Sequence, residues 1–367
     1  MTNKVRSPIE MFGYAEPSFQ GVADAFREQL ARSEGGAALA IYRGDVLVLD
    51  LWGGSRDDSG EPWERDTITM CNSATKGVTA TAVHLLAARG LIDYDTPVAN
   101  HWPEFAANGK ESLTIRHVLS HSAGLHRIRP LIDTWQQVLD WDYMVEALAG
   151  ARPAYSPGTD AGYHALTFGW LAGELVRRLS GQSFEAFIRD QLATPMELDG
   201  LYIGCPPEER SRIAPIRLRK KPLASSTLPK NVLDLVNSPA MVDVQIPALN
   251  GFFTARSLAA VYSMLANNGQ WRGHEFIDRG TLGQASAVQG FRRDRVMILP
   301  MHWRLGYHRI FDKRGNIDGA FGHYGFGGSG GWADPDRQLG VAMICNRDTG
   351  RFERRLPRLG KSITSSV

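Results

Sequence analysis

TITMCNSATKGVTATAVHLLAARGL, residues 67–91, is the stretch on which the reading of this chain turns. Ser73 stands just before a long helical pattern, Ala74–Arg89, that carries Val78, Val83, Leu85 and Leu86. Thr75 or Ser73 itself is placed to cap that helix. With Ser73 at the helix start, Lys76 lies one turn further on the same face, because residues three apart are neighbours. Its amine then reaches the serine hydroxyl, and the helix N-terminus aims N–H groups at charge developing on a substrate oxygen. A serine hydroxyl is a poor nucleophile until a base takes its proton. Lysine serves as that base only when burial or a neighbouring cation lowers its pKa, so the chemistry predicts a buried Lys76. A Ser with Lys three positions on arises about once by chance in a chain of this size. A second reading, a helix cap followed by a surface lysine, therefore stands beside the first. The context favours the chemistry: a strand hairpin precedes the motif and a helix of small residues follows it.

Moving outward, ALAIYRGDVLVLDLWGG (38–54) holds two runs of strand formers, Ala38–Tyr42 and Val46–Leu51, about a Gly44 turn. Upstream, Gln20–Ala31 reads as an amphipathic helix with Val22, Phe26 and Leu30 four apart. Near the C-terminus, Gly331–Asp334 leads through Pro335–Asp336 into a second strand run, Leu339–Asn346. Between these ends, Leu113–Ser120, Thr134–Ala149, Thr167–Leu179, Phe184–Leu192 and Ser257–Asn267 read as helices. A sheet closed by both termini around a helical insertion implies two lobes with a cleft at their junction.

The 367 residues are 43% hydrophobic, enough for one large domain or two lobes with a substantial core. The formal charge of +2 gives no reason to expect a nucleic-acid or anionic-membrane partner. Two short basic clusters, Arg217/Arg219/Lys220/Lys221 and Arg292/Arg293/Arg295, lack interleaved stacking aromatics and read as solvated loops. Cys71, Cys205 and Cys345 are odd in number and far apart, which fits a reducing compartment. MTNKVRSPIEMFGYAEP (1–17) has no continuous apolar core of a secretory signal, and no run of about 18 apolar residues marks a membrane span. A cytoplasmic location is the expectation.

The Ser73-Ala74-Thr75-Lys76 motif on its helix resembles the S-x-x-K element of class C β-lactamases, penicillin-binding proteins and the related family VIII carboxylesterases. Further stretches agree in order. HVLSHSAGL (117–125) is similar to a recurrent structural segment of these proteins, and YSPGTDAGYHALTFGWLAGELVRRLSG (155–181) resembles their second-motif region. NGFFTARSLAAVYSMLANNG (250–269) resembles a helix of the esterases, and FGHYGFGGSGGWADPDRQLGVAMICNR (321–347) their third-motif strand and following hairpin. The resemblance runs from about residue 20 to residue 350. It implies an α/β (α+β) fold of the β-lactamase/transpeptidase type, with an antiparallel sheet from the N- and C-terminal segments, flanking helices and a largely helical second lobe. The sheet lobe is expected over 1–70 plus 265–367 and the helical lobe over 71–264.

By the same resemblance, Tyr163 falls where the family has the tyrosine of its Y-x-N motif, a candidate base and then acid for the leaving group. His323 falls at the lysine of K-T-G, here His323-Tyr324-Gly325. The oxyanion hole would pair the Ser73 N–H with a donor from the Gly325-Phe326-Gly327 stretch, about Phe326 or Gly327, where glycines allow close substrate approach. Two departures matter. Ala165 stands in place of the motif's Asn, and His323 replaces a permanent cation; both weaken recognition of a β-lactam and suit a neutral ester. The resemblance thus implies a serine carboxylesterase acting on short-to-medium acyl esters of small molecules, with no metal or cofactor. A β-lactam or D-amino-acid amide on the same site, and a non-catalytic binding member of the fold, are the alternatives.

A rival serine exists. Gly327-Gly328-Ser329-Gly330-Gly331 satisfies G-x-S-x-G, but that elbow needs a following helix and a later histidine, and none of the ten histidines follows Ser329. Ser329 is read as a turn residue. His121 and His126 are read as structural, His164 as either cleft-lining or supporting, and Cys71 as a small buried hydrophobe. Trp52, Trp170, Trp303 and Trp332 are expected in the core, and Trp135 or Trp141 against an acyl group.

Overall fold

The computed structural model describes residues 10–218, 226–236, 238–290, 293–312, 315–347 and 355–367. Arg219, Lys220, Lys221 and Arg292 of the basic clusters lie outside these residues. Their neighbours Arg217 and Arg295 are paired with Asp58 and Asp160.

Alternating strand formers at both ends of the chain make one antiparallel sheet. Its strands are β1 (Met11–Ala15), β2 (Ala37–Arg43), β3 (Val46–Gly53), β4 (His308–Phe311), β5 (Asn316–Tyr324), β6 (Gly330–Asp334) and β7 (Leu339–Cys345). They lie in the order β1-β3-β2-β7-β6-β5-β4. The two ends meet at β2 and β7, where Ala37 faces Cys345 and Arg43 faces Leu339. This is the fold the resemblance implies. The helices that position the site are α1 (Gln20–Ala31), α2 (Thr75–Ala88), α3 (Trp141–Gly150), α4 (Thr167–Ser180), α5 (Ala255–Ala266) and α6 (Arg355–Thr364).

Side chains on a strand alternate between faces, and here both faces are covered. Leu39, Ile41, Val341 and Met343 pack with Phe26 and Leu30 of α1 and Leu359 and Ile363 of α6. Ala38, Ala40, Ala342 and Ile344 join the larger core beneath α5. Each fully buried aliphatic chain of this kind contributes roughly 1.5–3 kcal/mol. The α5 face is built of small residues so that the helix can come close. A Cβ on Gly340 would overlap the backbone of Ser263 and Ala259.

The helix α1 has the bounds its periodicity predicts. The expected helix Thr134–Ala149 is instead two pieces, a 3-10 turn Trp135–Leu139 and α3. Asp140 breaks it: its backbone is extended and its carboxylate caps Tyr143. Phe184–Leu192 likewise passes from α-helix into a π turn at Arg189. A small sheet of Thr69–Met70, Gly251–Phe253 and Leu201–Ile203 has no separate signal in the sequence. It pairs Met70 with Phe252 and brings the approach to Ser73 beside residues 248–251.

Candidate active site

The small sheet ends one residue before a sharp change of direction. Cys71 N–H is held by the Gly251 carbonyl at 2.8 Å, and Asn72 then takes a left-handed backbone with φ 48°. Asparagine tolerates that region better than most residues. A 3-10 turn over Asn72–Ala74 carries Ser73, and α2 begins at Thr75. Neither Ser73 nor Thr75 caps the helix as expected. The Thr75 hydroxyl donates to the Asn72 carbonyl (2.6 Å) and accepts from Gly251 N–H (2.9 Å), tying the turn to the small sheet.

Lys76 is fully buried. Its Nζ lies 3.1 Å from Ser73 Oγ, 2.7 Å from the Ala165 carbonyl and 2.9 Å from the Ala248 carbonyl. Burial pushes its pKa well below the usual lysine value. The contact set fits a neutral amine. Two N–H bonds donate to two fixed carbonyls, and the lone pair remains for the serine proton. Alanine at 165 is no obstacle to this, since the backbone oxygen makes the contact.

Tyr163 completes the group. Burial raises its pKa above the usual phenol value, with the Ser73 hydroxyl acting in the opposite sense. Lys76 Nζ sits 5.1 Å from the ring centre. The ring stacks nearly parallel to Trp303, with centroids 5.6 Å apart. Asp294, fully buried, ties both together: its carboxylate accepts from Tyr163 N–H (3.2 Å) and Trp303 Nε1 (2.9 Å). Neither Asp294 nor Trp303 was singled out for the site from sequence. Trp303 was expected only in the core.

His323 is brought to the same place, its ring 6.1 Å from that of Tyr163. Its Nδ1 meets the Tyr324 carbonyl at 2.9 Å, so Nδ1 carries the proton and Nε2 is bare. Burial first, then the neighbouring His308 and Lys76, holds its pKa well below the usual imidazole value. The position at which the resembled enzymes carry a cation therefore carries a neutral ring. His121, read as structural, and His164, read as either cleft-lining or supporting, are both fully buried. His121 Nδ1 accepts from His164 N–H (3.2 Å), and His164 Nε2 accepts from Leu125 N–H (3.0 Å).

The Gly325–Gly327 loop abuts the nucleophile turn. A Cβ on Gly325 would overlap the Cys71 carbonyl and press on Ala74 N. Asn72 Nδ2 donates to the Phe326 carbonyl at 2.7 Å, and the Cys345 thiol donates to the Gly327 carbonyl at 3.1 Å. Gly325 N–H is held by the Ser329 carbonyl (2.7 Å) and Gly328 N–H by the Gly325 carbonyl (3.3 Å). Among the described residues, no turn or loop hydrogen bond engages the N–H groups of Ser73, Phe326 or Gly327. Asn72 and Cys345 were not read as site residues. A lone Asn or Cys carries no signal until the fold sets it beside the loop.

Ser329 is buried, and its hydroxyl is engaged by the Cys345 backbone (3.1 and 3.3 Å). Trp141 Nε1 donates to Glu174 (2.9 Å), with Arg177 over the ring. Trp170, Trp303 and Trp332 are buried, while Trp52 is half-buried under Phe12. Cys71, Cys205 and Cys345 are all free buried thiols. Among the described residues no group of three His, Cys, Asp or Glu side chains is arranged to hold a metal ion. Nor is any helix among them long and apolar enough to cross a membrane.

The chain is similar to known proteins over most of its length. The family described as Beta-lactamase matches residues 22–364. "Esterase/beta-lactamase LipL" of Mycobacterium tuberculosis is 40% identical over 361 residues, 92% of this chain and 83% of that protein. The solved structure of a family VIII carboxylesterase has a TM-score of 0.90 and 34% identity, covering 98% of this chain and 100% of that one. A penicillin-binding protein homologue from Caulobacter crescentus has a TM-score of 0.89 and 32% identity, again over 98% and 100%.

Proposed function

This chain belongs to the Beta-lactamase family and is a serine hydrolase, and from that premise we propose that it is a carboxylesterase with Ser73 as nucleophile, acting on short-to-medium acyl esters of small molecules. The observation that carries the proposal is the Lys76 amine, buried between two carbonyls with its third contact on Ser73 Oγ at 3.1 Å. Lys76 takes the hydroxyl proton as Ser73 Oγ bonds to the ester carbonyl carbon. The carbonyl oxygen becomes an oxyanion, and the N–H groups of Ser73 and Phe326 receive it. Tyr163, kept protonated by burial, gives its proton to the departing alkoxide and regains one from Lys76. Water then attacks the acyl-enzyme, its proton passing back through the same pair, and the carboxylic acid leaves with Ser73 Oγ–H restored. The opposite pKa directions of the two groups support Lys76 as the base and Tyr163 as the carrier.

Ala165 and the neutral His323 favour an ester over a β-lactam, since neither side chain offers an amide contact or a cation for a carboxylate. A β-lactam is the second reading, favoured by the double name of the M. tuberculosis relative. The family VIII esterase structure supports the first. A cytoplasmic setting belongs to the proposal, on the three free thiols.

A fluorophosphonate probe is expected to label the wild type and not Ser73→Ala. Against a panel of substrates, p-nitrophenyl esters of short acids are expected to be turned over much faster than nitrocefin. Equal labelling of Ser73→Ala removes Ser73 as nucleophile. Fast nitrocefin turnover with inert esters replaces the esterase by a β-lactamase.

A further inference from the structure

The Asp294 carboxylate that supports Tyr163 also builds a turn on the surface. Its Oδ1 accepts from the N–H groups of Val296 and Met297, both at 2.8 Å. Ile298 N–H donates to the Asp294 carbonyl (2.9 Å), and Asp294 N–H to the Leu299 carbonyl (3.0 Å). Arg293 Nε closes it on the Ile298 carbonyl at 2.9 Å. Five hydrogen bonds over seven residues make this a stiff loop.

What the loop presents is apolar. Met297, Ile298 and Leu299 are 41, 51 and 55% exposed. Exposed aliphatic residues scattered singly need no explanation. Three in a row at the tip of a rigid turn are different. Ile298 is also held at φ 62°, a left-handed conformation that a β-branched residue adopts only when its surroundings force it. The bonds around Asp294 thus hold large apolar side chains out in water instead of letting the loop fold them inward.

The base of the turn stands on the segment that carries Tyr163. Besides the Asp294–Tyr163 bond, Arg295 N–H donates to the Ala161 carbonyl at 2.9 Å. The Arg295 guanidinium pairs with Asp160 and lies over Tyr155, 5.2 Å from the ring centre. The tip is therefore fixed relative to the Tyr163 side of the site, and two arginines, 293 and 295, flank its root.

We propose that the Met297–Leu299 tip docks on the surface of aggregated acyl esters, a lipid–water interface, and so presents the Ser73 site to substrate gathered there. Size decides against a second copy of the chain as the occupant. Three side chains fall far short of the about 800 Å² per partner that a stable protein interface buries. An apolar phase takes up single side chains, and the exposed Arg293 at the root offers its charge to the anionic groups of a lipid surface. The proposal rests on the esterase reading for its purpose, but the docking has its own readout.

The test is flotation of the full chain with vesicles of phosphatidylcholine and phosphatidylglycerol, comparing wild type with Met297→Ser/Leu299→Ser. Melting temperature serves as the folding control. The wild type is expected to float, and the double variant to bind about tenfold more weakly or worse, with its melting temperature kept. The ratio of emulsified medium-chain ester turnover to dissolved p-nitrophenyl butyrate turnover is expected to fall with it. A wild type that stays at the bottom overturns the proposal, as does a variant that floats equally well. So does a wild-type dimer in light scattering that the variant loses. Absence of p-nitrophenyl butyrate hydrolysis by the wild type sinks the esterase reading alone, and flotation still decides the docking.

Discussion

Asn72 is the residue in which the two halves of the proposed oxyanion hole meet. Its backbone, at φ 48°, turns the chain into Ser73, while its side chain holds the Phe326 carbonyl at 2.7 Å. The peptide so held carries the Gly327 N–H and follows the Phe326 donor directly, so this side of the loop is fixed against the turn bearing the Ser73 donor. Separating the two roles needs two substitutions. Asn72→Gly keeps the left-handed backbone and removes only the amide, one hydrogen bond of about 1 kcal/mol. It is expected to lower kcat about five- to tenfold with KM little changed, because the loss is felt where oxyanion charge develops. Asn72→Ala also disfavours the backbone by about 1–2 kcal/mol and is expected to be slower still and less stable. A kcat for Asn72→Gly equal to wild type removes Asn72 from any positioning role. At this scale the sequence points to Ser73 and Lys76 through their spacing and context, and to Tyr163 through the family resemblance. It is silent on Asn72, Asp294 and Cys345, whose partners lie hundreds of positions away or are backbone atoms.

At the scale of elements, the contact of α2 with the sheet side is set by one missing side chain. A Cβ on Gly77 would run into the hydroxyl of Tyr262, a buried residue of α5. Gly77 follows Lys76 directly, so α5 is what presses the Ser73–Lys76 turn into place. Gly77→Ala is expected to lower stability by about 1–3 kcal/mol through overpacking, despite the better helix propensity of alanine. Adding Tyr262→Phe removes the clashing oxygen and is expected to restore much of the melting temperature, a coupling typical of residues in contact. A Gly77→Ala variant that melts with the wild type shows that the helices give way freely. Elements differ in how well they can be read. Helix α1 is legible because Val22, Phe26 and Leu30 face one core and nothing interrupts them. Strand β5 is not legible from alternation alone. Gly319 sits at φ 75° and the pairing with β4 shifts register between Asn316 and Phe321, so the period of two is lost. The seam at Asp140 is hidden for the opposite reason, since apolar spacing continues across it while a cap ends the helix.

Across the whole molecule, the sheet that joins both chain ends was legible from its terminal strand runs. We propose the two-lobe division at about residue 70, with the helical lobe closing before Ala255, because α5 lies on the sheet and its backbone touches Gly340. Among the described residues six histidines are buried: His84, His121, His126, His164, His308 and His323. Several are locked neutral by what they accept: His121 and His164 take backbone N–H groups on a ring nitrogen, and His308 Nε2 takes Tyr324 N–H at 3.0 Å. Burial lowers all six. His84 and His308 fall to about 4 and His164 to about 3, from a usual value of 6.5, and His121 and His323 lie well below it. The unfolded chain takes up these protons near pH 6.5, and the folded chain refuses them until about pH 4 or lower. In that window the unfolded state binds more protons, so stability falls as pH falls. His84 alone accounts for roughly 3 kcal/mol across it. Three such groups together rival the roughly 5–15 kcal/mol that holds a domain folded. The protein is therefore expected to keep a constant histidine contribution above about pH 6.5, to lose melting temperature steeply below it, and to unfold cooperatively before pH 4. His84→Gln is expected to move that acid midpoint downward, since it removes one proton site while glutamine can still contact Tyr94 and Leu305. Circular dichroism melts at half-unit steps of pH check both points; a melting temperature that is flat from pH 7 to pH 4 means that the buried rings accept protons in place and the core around them is open to water.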